Sequence, residues 1–363
     1  MAAARGSLRA LQRHLVAGTP AARRLVAPWA VATRGLASAA GGAGDAARNA
    51  FVTPEQRKEI CATLGVPEER VMLSIAELRA WRTSLPHTES VGFVPTMGAL
   101  HAGHLSLLDH SRKANDHTVS SIFVNPAQFA PHEDFGKYPR QPARDLELMF
   151  ANGADRVFVP HQQDMYPGSS FGQTSTQVTK THVVPDGIDI ESEGSARPGF
   201  FRGVATVVCK LLNLVQPTRL YLGQKDGLQV IVVRRMVRDL NIPTEVKPCD
   251  TVREEDGLAM SSRNVYLSEE QRRAAPSLYK ALSAVREAYD AGERSYDALR
   301  KVGQAILDSE PVWRTEYLSI CNGLEGTEVD ALQPVPDENV MVSAAVNFGN
   351  CRILDNVLVG RQT

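Results

Sequence analysis

The sequence predicts an α/β fold, a doubly wound parallel sheet, followed by a second, smaller α+β domain. Three observations predict it. Between residues 51 and 250, short apolar runs stopped by Pro, Gly or Asn-Pro alternate with amphipathic segments of helical period. Unusually polar clusters follow directly on several of those runs, where an open parallel sheet places its ligands. After about residue 250 the alternation gives way to charged helical segments and then to strand-like runs.

The bulk numbers agree with a soluble globular chain of two domains: 363 residues, 43% hydrophobic, 22% charged, net charge −1. No window approaches the roughly eighteen uninterrupted apolar residues of a membrane-spanning helix, so no membrane partner is expected. The near-zero net charge gives no electrostatic reason to expect nucleic acid. Cys61, Cys209, Cys249, Cys321 and Cys351 are scattered and form no C-x-x-C pair. Reduced thiols in a reducing compartment fit better than a disulfide framework or structural zinc.

Residues 1–44 differ in kind, with Arg5, Arg9, Arg13, Arg23, Arg24 and Arg34 but no Asp, Glu or Lys. On a helix, Arg5, Arg9 and Arg13 share one face and Leu8, Leu11 and Leu15 lie roughly opposite. Arg-rich and acid-free is the composition of an organellar transit peptide, and a disordered tail without an address is the alternative. Arginine rather than serine dominates, which favours a mitochondrial over a plastid address, with cytoplasmic residence as the remaining option. The expected organisation is a transit peptide and linker over 1–50, a nucleotide-binding domain over 51–250, and an α+β domain over 251–363.

The elements follow in order. Residues 53–82 read as helical, with Thr53-Pro54-Glu55 as a start signal and Ile75, Leu78 and Trp81 as a later apolar stripe. Strands are predicted at 91–94, stopped by Pro95; at 119–124, stopped by Asn125-Pro126; and at 156–159, stopped by Pro160. Two more are predicted at 220–222, stopped by Gly223, and at 244–246. Helical segments at 104–113, 143–152, 204–215 and 228–240 alternate with these runs, which implies helices on both faces of the sheet. Residues 161–202 are polar and aperiodic, and a hairpin or a subunit contact is expected there. Helices near 268–290 and 295–308 then precede strand-like runs at 315–320, 340–344 and 351–355.

Four clusters carry chemistry. In Pro95-Thr96-Met97-Gly98-Ala99-Leu100-His101-Ala102-Gly103-His104 a strand ends, a Gly-containing turn follows, and a helix begins beside two histidines. A helix start offers free N–H groups to phosphate, and paired imidazoles can donate to its oxygens. Gly103 between them is expected to keep the helix surface open for a nucleotide. A metal site and a plain helix start remain as rival readings. Asn125 and Gln128 offer amides suited to orienting a small polar substrate, or form no more than an Asn-Pro turn. Gly223-Gln224-Lys225-Asp226 places a lysine at a strand end, able to hold phosphate, with Gln229 beyond; a solvated Lys–Asp pair is the alternative. Met260-Ser261-Ser262-Arg263 sets two hydroxyls and an arginine in a row, suited to a polyphosphate. The loops leaving successive strands would bring the first three clusters to one crevice.

The H-x-G-H of residues 101–104 with the later M-S-S-R loop resembles the nucleotidylyltransferase superfamily, of Rossmann-like fold. Longer stretches resemble one of its families, pantothenate synthetase. They are residues 94–104, Phe123-Val124-Asn125-Pro126 with Gln128-Phe129, Tyr138-Pro139-Arg140, Arg197-Pro198-Gly199, Lys225-Asp226 with Gln229, and residues 256–264. The resemblance runs from about 74 to 359 and implies a ligase using ATP and Mg2+. Pantoate attacks ATP to give pantoyl adenylate and pyrophosphate, and β-alanine then displaces AMP to give pantothenate. It assigns ATP contacts to Pro95, Thr96, Met97, Gly98, His101, His104, Gly223, Gln224, Lys225, Asp226, Val252, Met260, Ser261, Ser262 and Arg263. Of these His101, His104, Lys225, Ser261, Ser262 and Arg263 would be catalytic, His104 as proton donor. It further assigns pantoate to Gln128 and Gln229 with Asn125 nearby and implies a homodimer; the 257–264 loop by itself reads as part of a lid domain over 251–363 that closes on bound nucleotide and excludes water. Gln224, Leu228, Phe200 and Arg144 depart from the family's pattern. The residues alone leave open a nucleotidylyltransferase that stops after one transfer, and a non-catalytic binding subunit.

Overall fold

The computed structural model describes residues 51–130, 133–169, 178–188 and 192–362. The expected transit segment lies outside them. The described chain opens with α1 (Pro54–Leu64), capped reciprocally by Thr53 and Gln56 and closed by Gly65 at φ 65°. Here the expectation of one helical stretch over 53–82 fails. The left-handed turn at Gly65 and the following Pro67 end the first helix, and Val71–Met72 forms an edge strand, β1. The chain re-enters a helix only at α2 (Ile75–Ser84), capped by Ser74 with Glu77.

The remaining strands of the main sheet are β2 (Val91–Thr96), β3 (His117–Ile122), β4 (Arg156–Phe158), β5 (Arg219–Gly223) and β6 (Glu245–Cys249). They pair in parallel in the order β1-β4-β3-β2-β5-β6. Successive side chains alternate between two cores. Phe93, Val119 and Leu220 face α2, α7 (Phe200–Val215) and α8 (Gly227–Asp239). Val94, Ile122 and Tyr221 face α1, α3 (Ala102–Ala114) and α4 (Pro142–Ala151). Helices thus cover both faces, as the alternation predicts.

Pro95 does not stop β2, which continues to Thr96 opposite Ile122. On the other side, pairing with β5 ends at Phe93. Pro95 has no N–H to give that neighbour, so the two strands part there. The chain leaves β2 for α3 on one face and β5 for α8 on the other, which opens a crevice between them.

Residues 161–202 hold two short helices, α5 (Gln162–Met165) and α6 (Ser192–Ala196), and no paired strand among the described residues. The expected hairpin has no counterpart among the described residues of that stretch. The helix expected over 268–290 is two, α9 (Glu269–Ala274) and α10 (Ser277–Asp290), because Pro276 cannot continue the hydrogen-bond ladder. With α11 (Tyr296–Asp308), α10 covers one face of an antiparallel sheet of β7 (Arg314–Asn322), β8 (Val340–Asn347) and β9 (Arg352–Val359). No described helix is long and apolar enough to cross a membrane. All five cysteines are free.

Candidate active site

The turn after β2 is built by two side chains. Thr96 Oγ1 donates to the Ser121 carbonyl at 2.7 Å and accepts from the Gly98 N–H at 3.1 Å. Gly98 turns left-handed at φ 80°, and a Cβ there would lie 2.8 Å from Asp145 Oδ2. Asp145, buried in the first turn of α4, accepts from the Ala99 N–H at 2.9 Å and the Leu100 N–H at 3.0 Å. Burial pushes its carboxyl up, against the pull of those two N–H groups.

His101 then caps α3. Its Nδ1 accepts from the Gly103 N–H at 3.2 Å, and the His104 Nδ1 accepts from the His101 N–H at 3.4 Å. The rings stand 4.1 Å apart, centroid to centroid. With both Nδ1 atoms accepting, the ring protons sit on Nε2, so each ring presents one N–H donor. Burial, then the neighbouring His104 and Lys225 charges, lowers the His101 pKa to about 2. Burial also dominates at His104, where Asp226 raises and Lys225 lowers the pKa and the result is about 4. Both rings are neutral at pH 7. The space left by Gly103 belongs to His101, whose ring a Cβ would meet at 2.9 Å, so the glycine seats the imidazole rather than the nucleotide.

Asn125 is buried and fully engaged. It donates to Gln128 Oε1 at 2.9 Å and the Gly203 carbonyl at 3.2 Å, and accepts from the Tyr166 hydroxyl at 2.7 Å and the Ala127 N–H at 3.3 Å. All four of its hydrogen-bonding positions are thus taken up within the fold. Its work is to hold Gln128, whose Nε2 turns toward Met97 Sδ at 3.4 Å.

At the end of β5, Lys225 Nζ lies 3.3 Å from Asp226 Oδ1. Gln224 turns away, donating to Asn356 Oδ1 of β9 at 3.1 Å. Asn356 in return donates to the Gln224 and Lys225 carbonyls at 2.8 and 2.9 Å. The side chain of Gln224 therefore serves the contact with the second sheet. A Cβ on Gly227 would strike Met341 and Asn356, so that contact depends on a glycine.

Ser261 Oγ accepts from the Arg263 N–H at 3.3 Å and opens a 3-10 turn over Ser262–Tyr266. Ser262 Oγ is 3.2 Å from the Tyr138 hydroxyl, and the Arg263 guanidinium lies 5.9 Å from that ring's centroid. Met260, beside Ser261, donates from its N–H to the Val252 carbonyl at 3.0 Å.

Met97, Gln128, Lys225, Gln229, Ser261 and Arg263 wall one cleft of about 920 Å³. That volume suits a nucleotide with a small second substrate. Loops after β2, β3 and β5 thus converge with the Ser-Ser-Arg turn, as the sequence predicts. Pro95, Thr96 and Gly98 shape the turn beneath the histidines. Sequence reasoning missed Asp145 and Asn356. An acid in the first turn of a helix was the one visible sign of Asp145, and nothing local marks Asn356.

Residues 70–358 match the model of a family described as pantoate-beta-alanine ligase. A pantothenate synthetase of Chloroflexus aggregans is 51% identical over 290 residues, covering 80% of this chain and 99% of that protein. One of Acetivibrio thermocellus is 47% identical over 293 residues, covering 80% and 99%. The crystal structure of pantothenate synthetase from Thermus thermophilus matches with a TM-score of 0.72 at 44% identity, covering 80% of this chain and 99% of its own. That of pantoate-beta-alanine ligase from Francisella tularensis, complexed with beta-gamma ATP and beta-alanine, matches at 0.63 and 31%, covering 79% and 97%.

Proposed function

The chain belongs to the pantoate–β-alanine ligase family, and from that premise we propose how its cleft carries the reaction. A pantoate carboxylate oxygen attacks the α-phosphorus of ATP, the bond to the β-phosphate oxygen breaks, and pyrophosphate leaves. The β-alanine amine then attacks the acyl carbon of pantoyl adenylate, the acyl C–O bond breaks, and AMP leaves with pantothenate formed.

The observation that carries the reading is the meeting of Met97, Gln128, Lys225 and Gln229 in one cleft, with the charge of Lys225 reaching both histidines. The Nε2–H groups of His101 and His104 donate to phosphate oxygens as charge builds on them. Neutral rings suit hydrogen-bond donation, so His104 acts as an N–H donor rather than as the source of a whole proton. Lys225 and Arg263 supply positive charge to the phosphates, and Ser261 and Ser262 supply hydroxyl donors. Gln128 and Gln229 orient pantoate by donating from their amides.

Among the described residues no group of three or more His, Cys, Asp or Glu forms a metal cage. Magnesium commonly binds through one or two carboxylates together with substrate phosphates. Asp226, a cleft acid beside Lys225, fits that role, and the ion would neutralise phosphate charge there. A homodimer rests on the family likeness, and a mitochondrial address on the Arg-rich, acid-free composition of residues 1–44.

The test is AMP release by the full chain with pantoate and β-alanine omitted in turn. AMP should require both. Pyrophosphate without β-alanine-dependent AMP would favour a nucleotidylyltransferase that stops after one transfer. ATP binding without either product would favour a non-catalytic subunit.

A further inference from the structure

Arg197 lies on the cleft wall, between the loop after β3 and the second sheet, with its side chain 12% exposed. Its Nε donates to Glu133 Oε1 at 2.7 Å and its Nη2 to Glu133 Oε2 at 2.8 Å, a two-pronged ion pair. The same Nη2 donates to the main-chain carbonyl of Gln128 at 3.1 Å. Nη1 stands 3.6 Å from Glu193, and the guanidinium lies 3.8 Å from the centroid of the Phe200 ring. Glu193 in turn accepts from Arg352 of β9 at 3.0 and 2.6 Å and from the Tyr317 hydroxyl at 3.2 Å.

A sequestered ion-pair network of this kind is weak evidence for stability, because desolvating its charges offsets much of their attraction. What apolar replacements could not do is hold a carbonyl oxygen in place. Gln128 is gripped twice: Asn125 fixes its side-chain oxygen, and Arg197 its main-chain oxygen. The amide nitrogen is left as the end that turns toward Met97 in the cleft wall.

We propose that Arg197 is a positioning residue, which fixes the Gln128 peptide and so aims its amide at pantoate. This rests on the reading of Gln128 as a pantoate contact. A lysine at 197 would keep the charge, yet it lacks the planar fork that meets Glu133 and the Gln128 carbonyl at once.

Full-length wild type, Arg197→Met, Arg197→Lys, Glu133→Gln and Gln128→Ala are compared for KM of pantoate, KM of ATP and thermal unfolding. Arg197→Met should raise the pantoate KM about 10- to 100-fold and change the ATP KM less than about twofold. Arg197→Lys should unfold near the wild-type temperature and still show a pantoate KM raised about tenfold. Glu133→Gln, which leaves the arginine able to reach the carbonyl, should raise it less than Arg197→Met. A pantoate KM unmoved by both arginine substitutions, while Gln128→Ala raises it, overturns the role of Arg197 alone. Equal rises in both KM values with a lowered unfolding temperature also overturn it, by showing general loosening. If Gln128→Ala leaves the pantoate KM unchanged, the assignment of Gln128 falls and takes this role with it. Should Arg197→Met not fold, Arg197→Lys is judged by the same criteria.

Discussion

Acidification perturbs the histidine pair while leaving every residue in place. Burial first, then Asp226 and Lys225, sets the His104 pKa at about 4, below the ordinary value of 6.5. The unfolded chain therefore binds the proton more readily, and stability falls as pH falls through 6.5 toward about 4. At pH 5 the unfolded ring is roughly 1.5 pH units below its pKa while the folded ring stays neutral. At about 1.4 kcal/mol per unit this removes about 2 kcal/mol. The residue is only partly buried from solvent, which makes that figure a ceiling. Urea unfolding at pH 7.5 and pH 5.0 measures it, comparing wild type with His104→Asn, whose side chain still accepts a hydrogen bond. The wild type should lose about 1–2 kcal/mol more than the variant over that interval. Equal losses would refute the claim that the folded ring is held neutral.

Gly103→Ala should leave thermal stability little changed, since the helix preference of alanine, about 1 kcal/mol, is offset by loss of the His101 cap, of similar size. Its Cβ would displace the His101 ring, so kcat/KM for ATP should fall about tenfold or more; wild-type kinetics would show that the ring has room. Asn125→Ala leaves the buried Tyr166 hydroxyl and Gly203 carbonyl without this partner, and should destabilise by about 2–3 kcal/mol in urea unfolding. Its pantoate KM should rise as well, because Gln128 loses its tether, and an unchanged unfolding midpoint would contradict the first part.

The alternating runs made the main sheet legible because a buried strand of five or six residues and an amphipathic helix leave different periods. Val71–Met72 escaped for the same reason, since two residues have no period and their strand exists only through β4. Pro276 interrupts an otherwise helical pattern, and the periodicity on either side of it hides the break. The site was legible where its residues are local, in the turns after β2 and β5 and in the Ser-Ser-Arg loop. It was not legible where partners meet across the fold. Asp145 reaches back to Ala99, Asn356 to Lys225, and Arg197 to Gln128, and no short-range pattern records such pairings. Asn125 shows the converse. Its type suggested a substrate contact, and only the four bonds it makes within the fold reveal a tether.

The central claim is that the chain joins its substrates by ATP activation of the pantoate carboxylate. Pantoate carrying 18O in both carboxylate oxygens tests it in one measurement, with AMP and pantothenate examined by mass spectrometry after a complete turnover. Attack on the α-phosphorus followed by acyl C–O cleavage predicts one labelled oxygen in each AMP and one in each pantothenate. Unlabelled AMP formed alongside pantothenate would contradict the acyl-adenylate route.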